Sequence, residues 1–337
     1  MNENTEPIER KVQLTGGSTY TVSLPKDWAG EQDIEPGTRV NLYSQGDQLV
    51  MTQGESGPTE GEHVSTVVAD EREPATVAHS VASAYIAGCD EVRIEALRTP
   101  EQRRAVVRTI RRFVGLEVMS EDGDGMVART MLDAGTLSAE QTLAQIERTT
   151  MEMHEEAISA VVAADGDVGA GIARQDDDVD RLFALVSRGF QQSLVDPAVT
   201  MGERDALTPF EYYMAARQLE RIADHAEKIA TIAGRLEGKP PETTADELVS
   251  LGERARSVAR RSLSGMLDPA SETGSVVAEA EALLADIEAT DQQLYDRELA
   301  DGYLLGLVLD SVERTVQYGI NVAEAGLQAD HRGNASP

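Results

Sequence analysis

Residues 219–230 read Leu-Glu-Arg-Ile-Ala-Asp-His-Ala-Glu-Lys-Ile-Ala, and this stretch decides the fold of the C-terminal half of the chain. Its apolar residues recur at spacings of three and four, which is the period of one face of an α-helix. They are Leu219, Ile222, Ala223, Ala226, Ile229 and Ala230. Two acids, Glu220 and Asp224, stand four residues apart beside this apolar stripe, so both project from the same side of the predicted helix.

The helical period extends in both directions from this stretch, from Ser138 to about Ala329. Breaks rich in glycine and proline divide it into six predicted helices. These helices cover residues 138–164, 167–195, 208–236, 243–267, 272–299 and 301–328. Two sets of three helices with short links predict an internal repeat, residues 138–236 and 243–329, folded as a pair of three-helix bundles.

A second pair of acids, Asp176 and Asp180, has the same four-residue spacing on the preceding helix. Packing the two helices together would gather four carboxylates, whose repulsion raises their pKa values unless a cation joins them. Such oxygen-rich sites suit iron, manganese or magnesium.

Two alternatives without a metal stay open for these acids. In a chain with sixty acidic residues, four-residue spacings arise by chance and most such pairs are solvated. Glu220 could also be paired by Arg217 or Arg221, and His225 could be either a ligand or an ordinary hydrogen-bonded histidine.

The stretch 219–230 resembles the signature helix of PhoU proteins, which regulate phosphate uptake, and the resemblance covers roughly residues 138–328. It implies two three-helix repeats, each with an E/D-x-x-x-D motif that binds a multinuclear metal cluster. The implied metal is iron first, with manganese, zinc or magnesium as the other choices. The implied ligands are Asp176, Asp177, Asp180, Glu220 and Asp224.

The second repeat departs from that pattern. Residues 311–321 align with the signature helix and keep the acid Glu313, but Gln317 stands where the motif has aspartate. On the preceding helix Glu288 is followed four residues later by Gln292. Since an amide oxygen coordinates without charge, we expect this second cluster to be absent or weak.

Residues 9–53 alternate apolar and polar side chains in four short segments, which predicts four strands. So small a unit cannot build its own core and is expected to form a homodimer. Residues 10–28 and 34–42 resemble the AbrB/SpoVT DNA-binding module. The resemblance implies a small swapped-hairpin β barrel made by two chains, with residues 1–53 as the DNA-binding and dimerisation domain. Its candidate DNA-binding cations are Arg10, Lys11, Lys26 and Arg39; the alternative is a module that only dimerises.

Between these parts, residues 54–62 are a predicted linker and residues 64–131 a predicted α+β middle domain. Its strands are expected at 64–69 and 91–95, its helices at 74–88 and 99–114, and a hairpin at 116–131. The arginines of its second helix could contact DNA or another subunit, or form a solvated face.

The charge of the chain is −30 and only four of its basic residues are lysines, which predicts adaptation to a salt-loaded cytoplasm. The single cysteine, Cys89, excludes an intrachain disulfide. The absence of a signal sequence or a long apolar run predicts a cytoplasmic protein without membrane insertion.

The two resemblances together predict a phosphate-responsive transcriptional regulator. The alternative is an adaptor of the PhoU type that restrains a phosphate transporter, through its ATPase subunit, or a regulatory kinase by contact and without DNA. We do not expect an enzyme, because the helical region 138–329 lacks the Glu-x-x-His pairs of di-iron bundles and the sequence lacks a glycine-rich phosphate loop.

Overall fold

The computed structural model describes residues 8–45, 48–53, 63–132, 138–195, 207–268 and 273–334. The chain divides into two compact units, residues 1–60 and 61–337. The predicted linker at 54–62 lies outside the described residues. No helix in the described ranges is long and apolar enough to cross a membrane.

The N-terminal unit consists of two hairpins and one short helix. Strands β1 (Gln13–Thr15) and β2 (Thr19–Thr21) form one antiparallel pair, and β3 (Val40–Gln45) and β4 (Gln48–Gln53) form another, with α1 (Lys26–Glu31) between them. The first hairpin turns at Gly16 and Gly17, whose φ angles of 64° and 80° favour glycine.

These two hairpins do not form a closed barrel in the described residues of one chain. The predicted swapped-hairpin barrel, which would need hairpins from two chains, therefore stays a prediction for the dimer. Among the side chains described in this unit none is buried, and apolar residues such as Val12 (66% exposed) and Tyr20 (77%) lie open. A unit without its own core needs a partner surface to be stable.

The middle segment is an α+β layer with the predicted elements. It runs through β5 (Val64–Val68), α2 (Pro74–Ile86), β6 (Glu91–Glu95), α3 (Pro100–Arg112), β7 (Leu116–Asp122) and β8 (Gly125–Thr130). The sheet order is β5-β6-β8-β7, with only β5 and β6 parallel. Helix α3 starts as predicted at Thr99, whose hydroxyl accepts from Gln102 N while the Gln102 amide oxygen accepts from Thr99 N in a capping box.

The six predicted C-terminal helices are present. They are α4 (Ala139–Ala163), α5 (Gly169–Val195), α6 (Pro209–Ala233), α7 (Glu242–Leu267), α8 (Thr273–Asp296) and α9 (Gly302–Asn334). A single turn of 3-10 helix (Gly166–Val168) leads into α5. The last helix runs past its predicted end at residue 328, and Ala329 beyond that point is buried. Buried residues of both repeats join one continuous core, in which Ile222, Val258 and Val312 are fully buried.

Helix α5 also holds the middle segment, which belongs to the same compact unit. Arg188, only 4% exposed, donates to the carbonyl oxygens of Tyr85 (2.9 Å) and Cys89 (2.7 Å) and to Asp90 Oδ1 (3.0 Å). Ala184 of α5 belongs to the apolar core of the middle segment. One side of α5 therefore packs on the other helices while another side carries the α+β layer.

Candidate metal centre

The four predicted carboxylates lie at the contact between α5 and α6. Asp176 and Asp180 are one turn apart on α5, and Glu220 and Asp224 are one turn apart on α6. Glu220 is buried, at 8% exposure, and the other three are half-buried. The structure thus places all four in one acidic group between the two helices.

Burial and mutual repulsion make these acids hard to ionise together. Burial, reinforced by the charges of Asp180, Glu227 and Asp224, raises the pKa of Asp176 to about 7. Burial also raises the pKa of Glu220 to about 7, with Arg217 opposing and Asp224 adding to the effect. A cation placed among these carboxylates would remove this repulsion.

Glu220 has one oxygen paired and one oxygen without a partner. Its Oε1 accepts from Arg217 Nη1 at 2.7 Å, so the expected arginine alternative is realised for that atom. Its Oε2 is buried and has no hydrogen-bond partner among the described residues. The other candidate partner, Arg221, lies instead over the ring of Tyr318, 5.6 Å from its centroid. A buried carboxylate oxygen without a donor is a free ligand position.

Asp177 lies outside this contact and points to the middle segment. Arg112 Nη2, from α3, is 3.0 Å from Asp177 Oδ1 and 3.3 Å from Asp180 Oδ2. Arg112 lowers the pKa of Asp180, although burial raises it more. The guanidinium therefore provides part of the positive charge that a metal would otherwise supply at Asp180.

Two contributors to the site were not predicted from the sequence. Glu227 follows Glu220 by seven residues and Asp224 by three, so it shares their helix face, and its charge raises the pKa of both Asp176 and Asp180. Because seven residues make about two helical turns, this spacing could have identified Glu227 from the sequence. Arg112 comes from a distant part of the chain, and no sequence pattern links it to α5.

His225 is not part of the carboxylate group. Burial and then Lys228 lower its pKa to about 4, its Nδ1 is buried without a partner in the described residues, and its ring lies 5.8 Å from that of Tyr318 on α9. This environment keeps the imidazole neutral and directs it toward the second repeat.

The residues have the donor atoms that a metal needs, but their side chains are not already arranged around a metal position. The donor set is all carboxylate, Arg217 and Arg112 relieve only part of the repulsion among the acids, and one buried oxygen has no partner in the described residues, which suits a hard or borderline cation. In the described ranges, however, no three histidine, cysteine or acidic side chains already converge as ligands. Metal binding would require changes in side-chain rotamers.

Two family models match parts of this chain. A family model described as the PhoU domain matches residues 143–233. Residues 143–233 are a PhoU domain. The match contains α5, α6 and all five predicted ligands, whereas the second repeat lies outside it. The model for the antidote-toxin recognition protein MazE, a bacterial antitoxin, matches residues 13–57, so the N-terminal unit carries a MazE/AbrB-like domain.

Further comparisons add one solved structure. The crystal structure of PhoU from Pseudomonas aeruginosa is 20% identical, with a TM-score of 0.46, and the match covers 58% of this chain and 96% of that chain. No curated protein matches the chain.

Outside the PhoU match, the predicted degenerate site is not assembled. Gln317 Nε2 donates to Glu313 Oε1 at 2.8 Å, so these two side chains on α9 satisfy each other. Glu288 and Gln292 are exposed on α8, and no hydrogen bond or ion pair of the described residues joins them to α9. The side of α8 that is buried instead carries leucine and isoleucine, including Leu283 and Ile287.

In the MazE/AbrB-like domain the four predicted DNA-binding cations are all exposed. Lys26 is the first residue of α1, and Arg10 and Lys11 precede β1. Arg39 stands immediately before β3. Among the described residues, the side chain of Arg10 donates to the neighbouring carbonyl of Glu9.

Proposed function

We propose that this chain is a metal-binding regulator of phosphate uptake that binds DNA as a homodimer through its N-terminal unit. The observation that carries the proposal is the joining, in one chain, of a PhoU domain with a MazE/AbrB-like domain. The first supports a role in phosphate regulation, and the second supports a role at DNA. The PhoU match supports a regulatory role, so the proposal is regulatory rather than enzymatic.

The residues that would hold the metal are Asp176, Asp180, Glu220 and Asp224, with Glu227 in reach. When bound, the metal would supply positive charge that lets all of these carboxylates ionise at once. Iron is the first choice, and manganese, zinc or magnesium are the alternatives for an oxygen-rich set. The side chains of α5 and α6 would then be fixed to each other by more than apolar contact.

The dimer is supported by the exposed apolar surface of the N-terminal unit. Val12, Leu14 and Tyr20 cannot be shielded within one hairpin, and a second chain would cover them. Dimerisation doubles the four exposed cations on a chain whose net charge is −30. Because DNA affinity comes mainly from neutralising phosphates, these cations are where DNA would bind.

Elemental analysis of protein purified without chelator tests the metal. We expect bound metal in the wild type and its loss in Asp176→Asn and Glu220→Gln, which keep size but remove charge. The matched control is Glu313→Gln, from the second repeat, which should leave the metal content unchanged. A metal-free wild type, or equal content in all variants, would remove the metal from the proposal.

DNA binding is tested by selection from randomised DNA in molar KCl, followed by gel shift. We expect a sequence preference that is weakened in Lys26→Gln and unaffected in Lys239→Gln, since Lys239 lies in the link between α6 and α7. The lack of any preference, together with capture of a phosphate-transporter ATPase subunit, would favour the adaptor function instead.

A further inference from the structure

A cavity of about 400 Å³ lies where α2 and α3 of the middle segment meet α5. One wall consists of Ala75, Ala78 and Ala82, which share one side of α2. The opposite side of α2 carries the buried Val77 and Val81. The alanines leave open space because their side chains are too short to reach α5.

Phe113, which directly follows α3, and Phe183 of α5 add aromatic surface to this cavity, so most of its lining is apolar. The Phe113 ring is held in place by stacking on Tyr85 at a centroid distance of 4.5 Å. A volume of this size lies within the range of small-molecule sites, and apolar walls of this kind bury the flat part of a ligand.

Two guanidinium groups also line the cavity, those of Arg112 and Arg181. Arg112 makes its ion pairs with Asp177 and Asp180 through one nitrogen, Nη2. Arg181 has a distant ion pair with Asp178, at 3.7 Å, while its Nε is buried without a hydrogen-bond partner among the described residues. An arginine carries five N–H donors, so both groups keep donors available.

The charge of this lining differs from that of the whole molecule. Against the two arginines the lining contains one acid, Asp180, which Arg112 already pairs. The other partners of these arginines, Asp177 and Asp178, lie outside the lining, so inside the cavity two guanidinium groups beside an apolar wall favour an anionic ligand.

We propose that this cavity is a binding site for a small organic anion with a flat apolar body and one phosphate or carboxylate group. The body would lie between the alanine wall of α2 and the two phenylalanines, and the anionic group would be held by the guanidinium forks of Arg112 and Arg181, which match planar oxyanions. The site is distinct from the carboxylate group between α5 and α6, although Arg112 and Asp180 contact both.

Isothermal titration calorimetry in the presence of EDTA tests the proposal without metal. The probes are phenyl phosphate, adenosine monophosphate, benzoate and inorganic phosphate. We expect an aryl or nucleoside anion to bind at least about tenfold more tightly than inorganic phosphate, which has no apolar body. Tighter binding of the phosphate esters assigns a phosphate ligand, and tighter binding of benzoate assigns a carboxylate.

Two pairs of variants locate the binding. Arg181→Gln should weaken it by at least about tenfold, whereas Arg104→Gln, an exposed arginine of α3, should not change it. Ala78→Leu fills the cavity and should abolish binding, whereas Ser83→Leu, exposed on the same helix, should not. Circular dichroism and thermal melting confirm that each variant is folded.

The proposal is overturned if none of the four probes binds at millimolar concentration. It is also overturned if binding is unchanged in folded Arg181→Gln and Ala78→Leu proteins. Because the titrations contain EDTA, these outcomes are independent of whether the carboxylates of α5 and α6 hold a metal.

Discussion

Replacing Arg188 with methionine should loosen the middle segment from the helices. The guanidinium is 4% exposed and donates three hydrogen bonds, to Tyr85 O, Cys89 O and Asp90 Oδ1, and its carbon lies 5.1 Å from the centroid of the Tyr85 ring. Methionine keeps much of the apolar stem but none of the donors. Cys89 O and Asp90 Oδ1 then lose this donor, while Tyr85 O keeps the amide of Gly88 and Asp90 Oδ2 keeps that of His63.

The magnitude follows from these contacts. A hydrogen bond from a charged donor contributes about 1.5–3 kcal/mol, and breaking a buried charged pair costs about 3–5 kcal/mol. Asp90 is partly exposed and can be rehydrated, and the variant no longer buries a guanidinium, whose desolvation lowers the pKa of Arg188. The expected cost is therefore about 3 kcal/mol, at the lower end of that range.

Hydrogen exchange measured by mass spectrometry can separate a local from a global effect. We expect faster exchange in α2 and the following turn through Asp90, and little change in the PhoU domain helices α4 and α6. The matched control is Arg174→Met, an exposed arginine on the same helix, which should exchange like the wild type. Unchanged exchange in Arg188→Met, or an equal increase in the control, would refute the docking role of Arg188.

Three further predictions concern stability and metal affinity. Burial and a neighbouring arginine hold the pKa of His154 near 3, against 6.5 in the unfolded chain, so the unfolded state takes up the proton first. Stability should then fall as the pH drops below about 6.5, and urea unfolding at pH 7 and pH 4.5 should show a smaller loss in His154→Gln. Gly166→Ala places a Cβ 2.8 Å from Gly234 Cα and should cost about 1–3 kcal/mol in thermal unfolding, whereas Gly171→Ala, with open space around it, should cost less. Arg112→Gln should raise metal affinity a few-fold in calorimetric titration, because it removes a competing cation whose exposed ion pairs contribute about 0.2–1 kcal/mol each; weaker binding would contradict this.

The helical half was predictable because each helix has apolar residues repeated at spacings of three and four and ends at a clear break. Such a pattern depends only on residues close together in the sequence. The sequence predicted the six helices and the middle α+β elements, and the structure contains them with small shifts at the ends. The pairs at Asp176 and Glu220 were also predictable, since a four-residue spacing on adjacent helices fixes a shared face. The spacing rule does not predict side-chain rotamers, however. In the described residues the carboxylates are not arranged to hold one metal ion.

The remaining parts depend on long-range packing. Arg112 and Arg188 reach their partners only because the middle segment docks on α5, and no spacing in the sequence encodes that docking. In the second repeat the difficulty is a local one. Because the aspartates of the motif are missing there, no residue pattern indicates which side of α8 faces α9. Glu288 was aligned by its spacing to Gln292, but the structure places both on the exposed side of that helix.

Helix α5 is the element on which the two candidate sites depend. The carboxylates of Asp176 and Asp180 lie toward α6, while Arg181 and Ala184 line the cavity with the middle segment. Asp180 takes part in both, since it lies in the acidic group and also accepts from Arg112. A metal that draws Asp180 toward α6 would release Arg112, and an anion that draws Arg112 into the cavity would release Asp180. If both ligands bind as proposed, each should therefore increase the affinity for the other, and by linkage the two factors must be equal.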